Sequence, residues 1–261
     1  MFSLHAYLQG LGVVGAAAAL IWVLSILRSN VAIVDSLWSL LFLLLAGTYA
    51  GASGWSTPRA VPVSILVALW AVRLSGYITW RNWGHGEDRR YQAIRARNEP
   101  HFALKSLWLV FGLQAMLAWV ISLPLLGAIL SPSPLGIADA AGAALWLVGL
   151  AFEAGGDWQL ARFKAVPDNR GKVMDRGFWR WTRHPNYFGD FTLWWGFYLI
   201  AAGAGAWWSL PGPLLMSVLL MRVSGVTLLE KDIGERRPKY VDYVRRTNAF
   251  FPGPSRRGDR R

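Results

Sequence analysis

The chain has no cysteine among its 261 residues. That excludes disulfides, thiol catalysis and cysteine-ligated metals, and it leaves the redox compartment undetermined. Histidine is nearly as scarce. His5, His85, His101 and His184 stand far apart without metal-ligand spacing, so no metal site is expected. Charge is thin as well: 16% of residues, where a soluble domain carries about a quarter. Apolar residues make up 54% of the chain, with 16 Trp, a residue that favours bilayer interfaces.

Long apolar runs set the fold class. A bilayer core needs about 20 mainly apolar residues per helix. Seven spans meet that need: 7–27, 32–50, 59–80, 104–130, 136–155, 187–205 and 208–229. They predict an all-α integral membrane protein, a seven-transmembrane helix bundle, with 1–261 as a single membrane domain. The first span lacks a basic n-region and an A-x-A cleavage site, so it is expected to be a retained helix. Pro124 is expected to kink the fourth span, with neighbours satisfying the freed carbonyl.

The net charge of +12 is distributed unevenly. Arg28, segments 81–105 and 156–186, and the tail from Arg222 hold 25 of the 27 basic residues. The alternate loops 51–58, 131–135 and 206–207 hold none. Arg59 is the one basic residue at that end, and Arg73 lies within a span. The positive-inside rule makes the basic side cytoplasmic, with the N-terminus outside and the C-terminus inside. The basic end 253–261 is expected to be a disordered, lipid-facing tail. No nucleic acid partner is expected, because no folded soluble module presents the charge.

Gly10-Leu-Gly12-Val-Val-Gly15 matches the dinucleotide fingerprint but lies inside an apolar run. That fingerprint needs a strand before it and a helix after it. Helix packing through small residues is the better account.

Several polar residues lie at or near membrane depth, where ionisable groups are costly and usually functional. Glu153, Asp157 and Lys164 form one helical stripe, and Gly155-Gly156 permits a close approach. Pro185 suits a helix first turn, so a helix is expected to start near His184. Asn186, Asp190 and Trp194 then share a face, with Arg183 and His184 at the positive end of the dipole, a place suited to phosphate. A helix cap within an aromatic belt is the plainer alternative. Arg73 lies roughly 10 Å inside its span and shares a face with Tyr77 and Arg81. A ligand or carboxylate partner is expected for it. The run Glu87-Asp88-Arg89-Arg90 is either a site or a solvated loop. Asp35 is the only acid in the first two spans. Ionisation is costly there, which suits it to general-acid work; pairing with Arg28 or Arg73 is the alternative. After the last span, Arg237, Tyr240 and their neighbours Lys231, Arg236 and Tyr243 suit either an adenine and its phosphates or an amphipathic helix on headgroups.

Four stretches together resemble the bacterial DUF1295 membrane proteins. They are Glu153–Asp157–Lys164, Arg183-His-Pro-Asn186-Tyr-Phe-Gly-Asp190, Glu87-Asp-Arg-Arg-Tyr91, and Tyr240/Tyr243 with Phe250-Phe-Pro252. The resemblance covers 28–252. That family is similar to the steroid 5α-reductases and, more distantly, to sterol reductases and isoprenylcysteine carboxyl methyltransferases. The resemblance implies a bacterial inner-membrane, multi-pass oxidoreductase. It would bind NADPH from the cytoplasm and reduce a C=C bond conjugated to a ketone in a steroid-like lipid drawn from the bilayer. Asp157, Lys164, Lys172, Asn186 and Asp190 match cofactor-contacting positions, as do Tyr77 and Arg73. Asp35 matches a catalytic Glu on the second span. Two departures stand out: Trp70 occupies the place of a catalytic Tyr in the eukaryotic reductases, and Asp35 is shorter than Glu. A monomer is expected. The alternatives are an S-adenosylmethionine-dependent membrane methyltransferase and a noncatalytic membrane protein.

Overall fold

The computed structural model describes residues 2–223 and 239–255. Among these residues there is no strand. Five helices among the described residues are long and apolar enough to cross a bilayer: α1 (Leu4–Leu27), α2 (Ile33–Ala52), α3 (Ala60–Asn82), the run Phe102–Ile121 and α8 (Ile137–Ala165). The chain is thus a helical membrane protein. The short α4 (Arg89–Asn98) follows α3.

The fourth span is more broken than its proline alone predicts. It comprises α5 (Phe102–Ser106), a π-helical stretch Leu107–Gly112, α6 (Leu113–Ile121) and α7 (Leu123–Ile129). Pro124 sits in the first turn of α7, where its missing N–H is harmless. The break is satisfied internally. The fully buried Ser122 donates its hydroxyl to the Trp119 carbonyl, and the Tyr49 hydroxyl meets Ser122 Oγ at 2.9 Å.

The sixth predicted span exists as α9 (Pro185–Gly203). It is not among the five, because Trp, Tyr and polar residues dilute its apolar character. The seventh begins as α10 (Pro211–Val218) and continues as a π turn to Val223. Its remainder, and Arg237, lie outside the described residues, as does the tail beyond Ser255. The last described helix is α11 (Lys239–Arg246).

The chain divides into two compact units: Met1–Gly136 with Ala201–Gly212, and Ile137–Ile200 with Pro213–Arg261. In the first unit α2 packs against both α1 and α3. Gly10 faces α2, where an added Cβ would meet Tyr49 and Leu45, whereas Gly12 and Gly15 face open space. The glycine fingerprint is therefore a stretch of α1, with packing use made only of Gly10. Arg59 is fully buried; its guanidinium donates to the Ser133 and Pro134 carbonyls and to Ser133 Oγ, tying α3 to the 131–134 loop.

The second unit rests on an antiparallel glycine seam. Gly142 and Gly149 of α8 lie seven residues apart, as do Gly189 and Gly196 of α9. A Cβ on Gly142 would sit 2.7 Å from the Gly196 carbonyl oxygen, and one on Gly196 2.7 Å from the Gly142 carbonyl oxygen. Gly149 and Gly189 oppose each other in the same way. Backbone touches backbone because no side chain intervenes.

Candidate functional site

Polar side chains gather in two clusters, one in each unit. In the second unit the glycine seam brings the last turns of α8 against the first turn of α9. A Cβ on Gly156 would lie 3.1 Å from the Pro185 ring and 3.3 Å from the Asn186 nitrogen. Asp157, one residue on, therefore meets Asn186, whose Nδ2 donates to Asp157 Oδ1 at 3.2 Å. The Asn186 side-chain oxygen accepts from the Tyr187 N–H at 3.1 Å. Glu153, Asp157, His184 and Asp190 are all buried. Lys164 and Lys172, by contrast, are exposed.

The loop before α9 is stapled from both sides. Phe178 N–H donates to Gln159 Oε1 at 3.0 Å, and Trp179 Nε1 donates to the Gly156 carbonyl at 3.0 Å. Gly177 has φ +58 and lies against the Gln159 side chain, so only glycine fits there without strain. From the other side the C-terminal segment straps the loop down. Thr182 Oγ1 donates to the Phe250 carbonyl at 2.8 Å, Gly253 N–H to the Trp181 carbonyl at 3.0 Å, and Tyr243 to the Trp179 carbonyl. Burial pushes the Tyr243 hydroxyl above the usual phenol range, so it remains a donor.

Arg183 belongs to this strap. Its Nη1 donates to the Thr247 carbonyl at 2.6 Å and to the Val244 carbonyl at 3.2 Å. These are carbonyls at the end of α11, which carry the negative end of its dipole. A cation at the α9 start thus works on a helix C-terminus, a use that sequence spacing cannot reveal. Tyr240 is buried, its ring edge-on to Tyr243 at 5.5 Å.

The first unit holds the other cluster. The run Glu87–Tyr91 is not a solvated loop. Asp88 caps α4, accepting the Arg90 N–H at 2.8 Å. That turn aims Arg90 and Tyr91 back at α2. Tyr91 donates to Asp35 Oδ1 at 2.5 Å and Arg90 Nη2 to Asp35 Oδ2 at 2.9 Å. Gln114 Nε2, just past the π stretch, reaches the Tyr91 hydroxyl at 3.3 Å. Glu87 accepts the Val31 N–H at 2.8 Å and both Nε and Nη2 of Arg95. Burial alone would raise the Glu87 carboxyl, but Arg95 and the Val31 N–H hold it below its ordinary value.

Asp35 is therefore corrected from an isolated acid to a paired one. Its partners are Arg90 and Tyr91, not Arg28 or Arg73. The pairing spans more than fifty residues and depends on the α4 cap, so spacing along the sequence could not disclose it. Of the other expected residues here, Arg73 and Tyr77 are half-buried on α3, and Arg81 lies 5.9 Å over the Tyr77 ring. Trp70 is fully buried against Phe42, with ring centres 5.6 Å apart. It is a packing residue.

Family comparison covers both clusters. The family model described as a protein of unknown function (DUF1295) matches residues 21–247. The chain belongs to the DUF1295 family. No curated protein and no solved structure matches it. As a DUF1295 protein, it carries both polar clusters, except the residues after Thr247, inside the family region. Among the described residues no group of His, Asp and Glu could hold a metal ion.

Proposed function

We propose that this DUF1295 protein is an NADPH-dependent reductase of a conjugated enone in a steroid-like or other lipid substrate. The likeness of its motifs to the steroid 5α-reductases motivates the reading. The Asp157–Asn186 hydrogen bond at the start of α9 carries it. Two residues 29 positions apart and expected at one cofactor meet in a half-buried contact between α8 and the first turn of α9. The surroundings fit a phosphate-rich coenzyme: the Asp157 and Asp190 carboxylates are buried and the Asn186 amide half-buried, while the cations Lys164 and Lys172 stay exposed.

In this reading Asp157, Asn186 and Asp190 orient the coenzyme through hydrogen bonds, and Lys164 and Lys172 hold its phosphates. Arg183 contributes by holding α11 in place. The coenzyme supplies hydride. By the same resemblance Asp35 stands at a catalytic position, the role of an acid that polarises a ketone oxygen. The same reading takes seven spans with the N-terminus outside, a bacterial inner membrane and a monomer.

NADPH added to purified protein should bind in the micromolar range, followed by nicotinamide fluorescence, and Asn186→Ala should abolish that binding. Loss of nicotinamide absorbance on adding a Δ4-3-oxosteroid should report turnover. Tight S-adenosylmethionine binding without NADPH binding would replace the reading with a methyltransferase.

A further inference from the structure

Along α3 one face is turned outward from end to end. Val61, Ile65, Leu69 and Val72 share that face by their helical spacing, and all are exposed. On a membrane span, an exposed apolar stripe faces acyl chains. The stripe ends in Trp80 and Trp83, which are 63% and 77% exposed. An indole has a greasy body and a polar N–H, so exposed Trp at the end of a span belongs at headgroup level. Arg81, exposed between those two rings, lies at the same depth.

The short helix α4 follows at this corner. Its inward face carries Tyr91 against Asp35, and Arg95 against Glu87 and 4.7 Å over the Phe102 ring. Its opposite face carries Arg89, Ala93, Ala96 and Arg97, all exposed. The alanines leave the backbone between the two arginines open to close approach. The carboxylates of the corner are engaged elsewhere: Asp35 and Asp88 by Arg90, and Glu87 by Arg95. Glu99, past the end of α4, lends its charge to Arg95. Burial alone would raise the Asp88 carboxyl, but Arg90, helped by the charge of Arg81, holds it below its ordinary value. Arg81 is thus within Coulomb reach of the α4 start. Among the described residues, Arg81, Arg89 and Arg97 form no ion pair.

We propose that this corner binds the phosphates of anionic phospholipids, with Arg81, Arg89 and Arg97 as the cations and Trp80 and Trp83 seated among the headgroups. The inference goes beyond the reductase reading and does not rest on it. Three outward cations without carboxylate partners complement a negative headgroup layer, and the lipid-facing stripe of α3 leads directly into them. A guanidinium meets phosphate through paired N–H donors, and anionic headgroups attract cations that lie close to a span. Lipid bound to the outer face of α4 steadies the inner face, which holds Tyr91 and Arg90 on Asp35.

The test uses the full-length protein in phosphatidylcholine nanodiscs with trace phosphatidylglycerol carrying a photoreactive group on its headgroup glycerol. Crosslinks should concentrate in residues 80–97. Unlabelled phosphatidylglycerol should remove them, and extra phosphatidylcholine should not. Combining Arg81→Gln, Arg89→Gln and Arg97→Gln should weaken labelling there by about fivefold per arginine, the scale of one cation at an anionic surface. The three matching Lys substitutions should keep most of it, which separates charge from folding. Raised salt should weaken wild-type labelling, because exposed charges are screened. Phosphatidylglycerol should also slow amide exchange over Arg89–Asn98 in the wild type and not in the Gln variant. Undiminished labelling of a folded Gln variant, equal competition by phosphatidylcholine, or indifference to salt would overturn the proposal. Displacement by inorganic phosphate or NADPH as readily as by phosphatidylglycerol would overturn it too, since the corner would then take soluble phosphates. Should the Gln variant not fold, the competition and salt dependence of the wild type still decide. None of these readouts uses turnover, so failure here leaves the reductase reading standing.

Discussion

The two polar clusters are built by opposite means. In the second unit Asp157 and Asn186 meet because two helix backbones touch, and they touch because glycines remove every intervening side chain. In the first unit Asp35 meets Tyr91 across an open turn, and charge-assisted side-chain bonds hold the pieces together. A backbone seam is rigid, insensitive to pH and intolerant of added volume. A side-chain clamp tolerates volume but depends on protonation. The comparison separates geometry set by shape from geometry set by charge.

The largest expected effect is on the seam. Gly189→Leu drives a side chain into the α8 backbone at Glu153 and Gly149. Destabilisation should reach the top of the roughly 1–3 kcal/mol range for overpacking, and Asn186-dependent ligand binding should vanish with it. Thermal unfolding in detergent measures the first effect and nicotinamide fluorescence the second. A variant as stable as the wild type would break the claim that shape builds this cluster.

A middle-sized effect belongs to the clamp. Glu87 has a lowered pKa in the folded protein, so its stabilisation is complete above the ordinary carboxylate range and is lost as pH falls through the folded value. Acidification should therefore release α4, seen as faster amide exchange over Arg89–Asn98 while exchange along α8 and α9 is unchanged. Glu87→Gln should give the same fast exchange at neutral pH. Equal acid sensitivity in both units would erase the contrast.

The smallest effect concerns α1. Gly12→Ala and Gly15→Ala should change stability by less than about 0.5 kcal/mol, because each faces open space. Gly10→Ala should cost measurably more, as its methyl meets Tyr49 and Leu45. Equal costs at all three positions would mean that the whole fingerprint packs.

Much of this was legible beforehand. The apolar runs at 7–27, 32–50 and 59–80 appear as α1, α2 and α3 within a few residues, and the run 136–155 opens α8, which continues to Ala165. Pro185 opens α9 as its fixed φ favours. The Asp157–Asn186 pair was reachable from motif resemblance. The glycine seam had a visible signal, the seven-residue spacing of 142, 149 and 156 and of 189 and 196, which only a search for helix contacts would use. Arg183 had none: a cation beside a helix start reads as an anion site, whereas its partners are carbonyls sixty residues downstream.

Composition and periodicity alone determined that this chain is helical and enters a membrane, because the bilayer constrains every residue of a span by the same rule. Only the tertiary structure decided that Asp35 belongs with Tyr91 and Arg90, and that Arg183 serves α11. Those pairings depend on where a capped turn and a C-terminal strap return in space. No local pattern encodes a distance between segments so far apart in the chain.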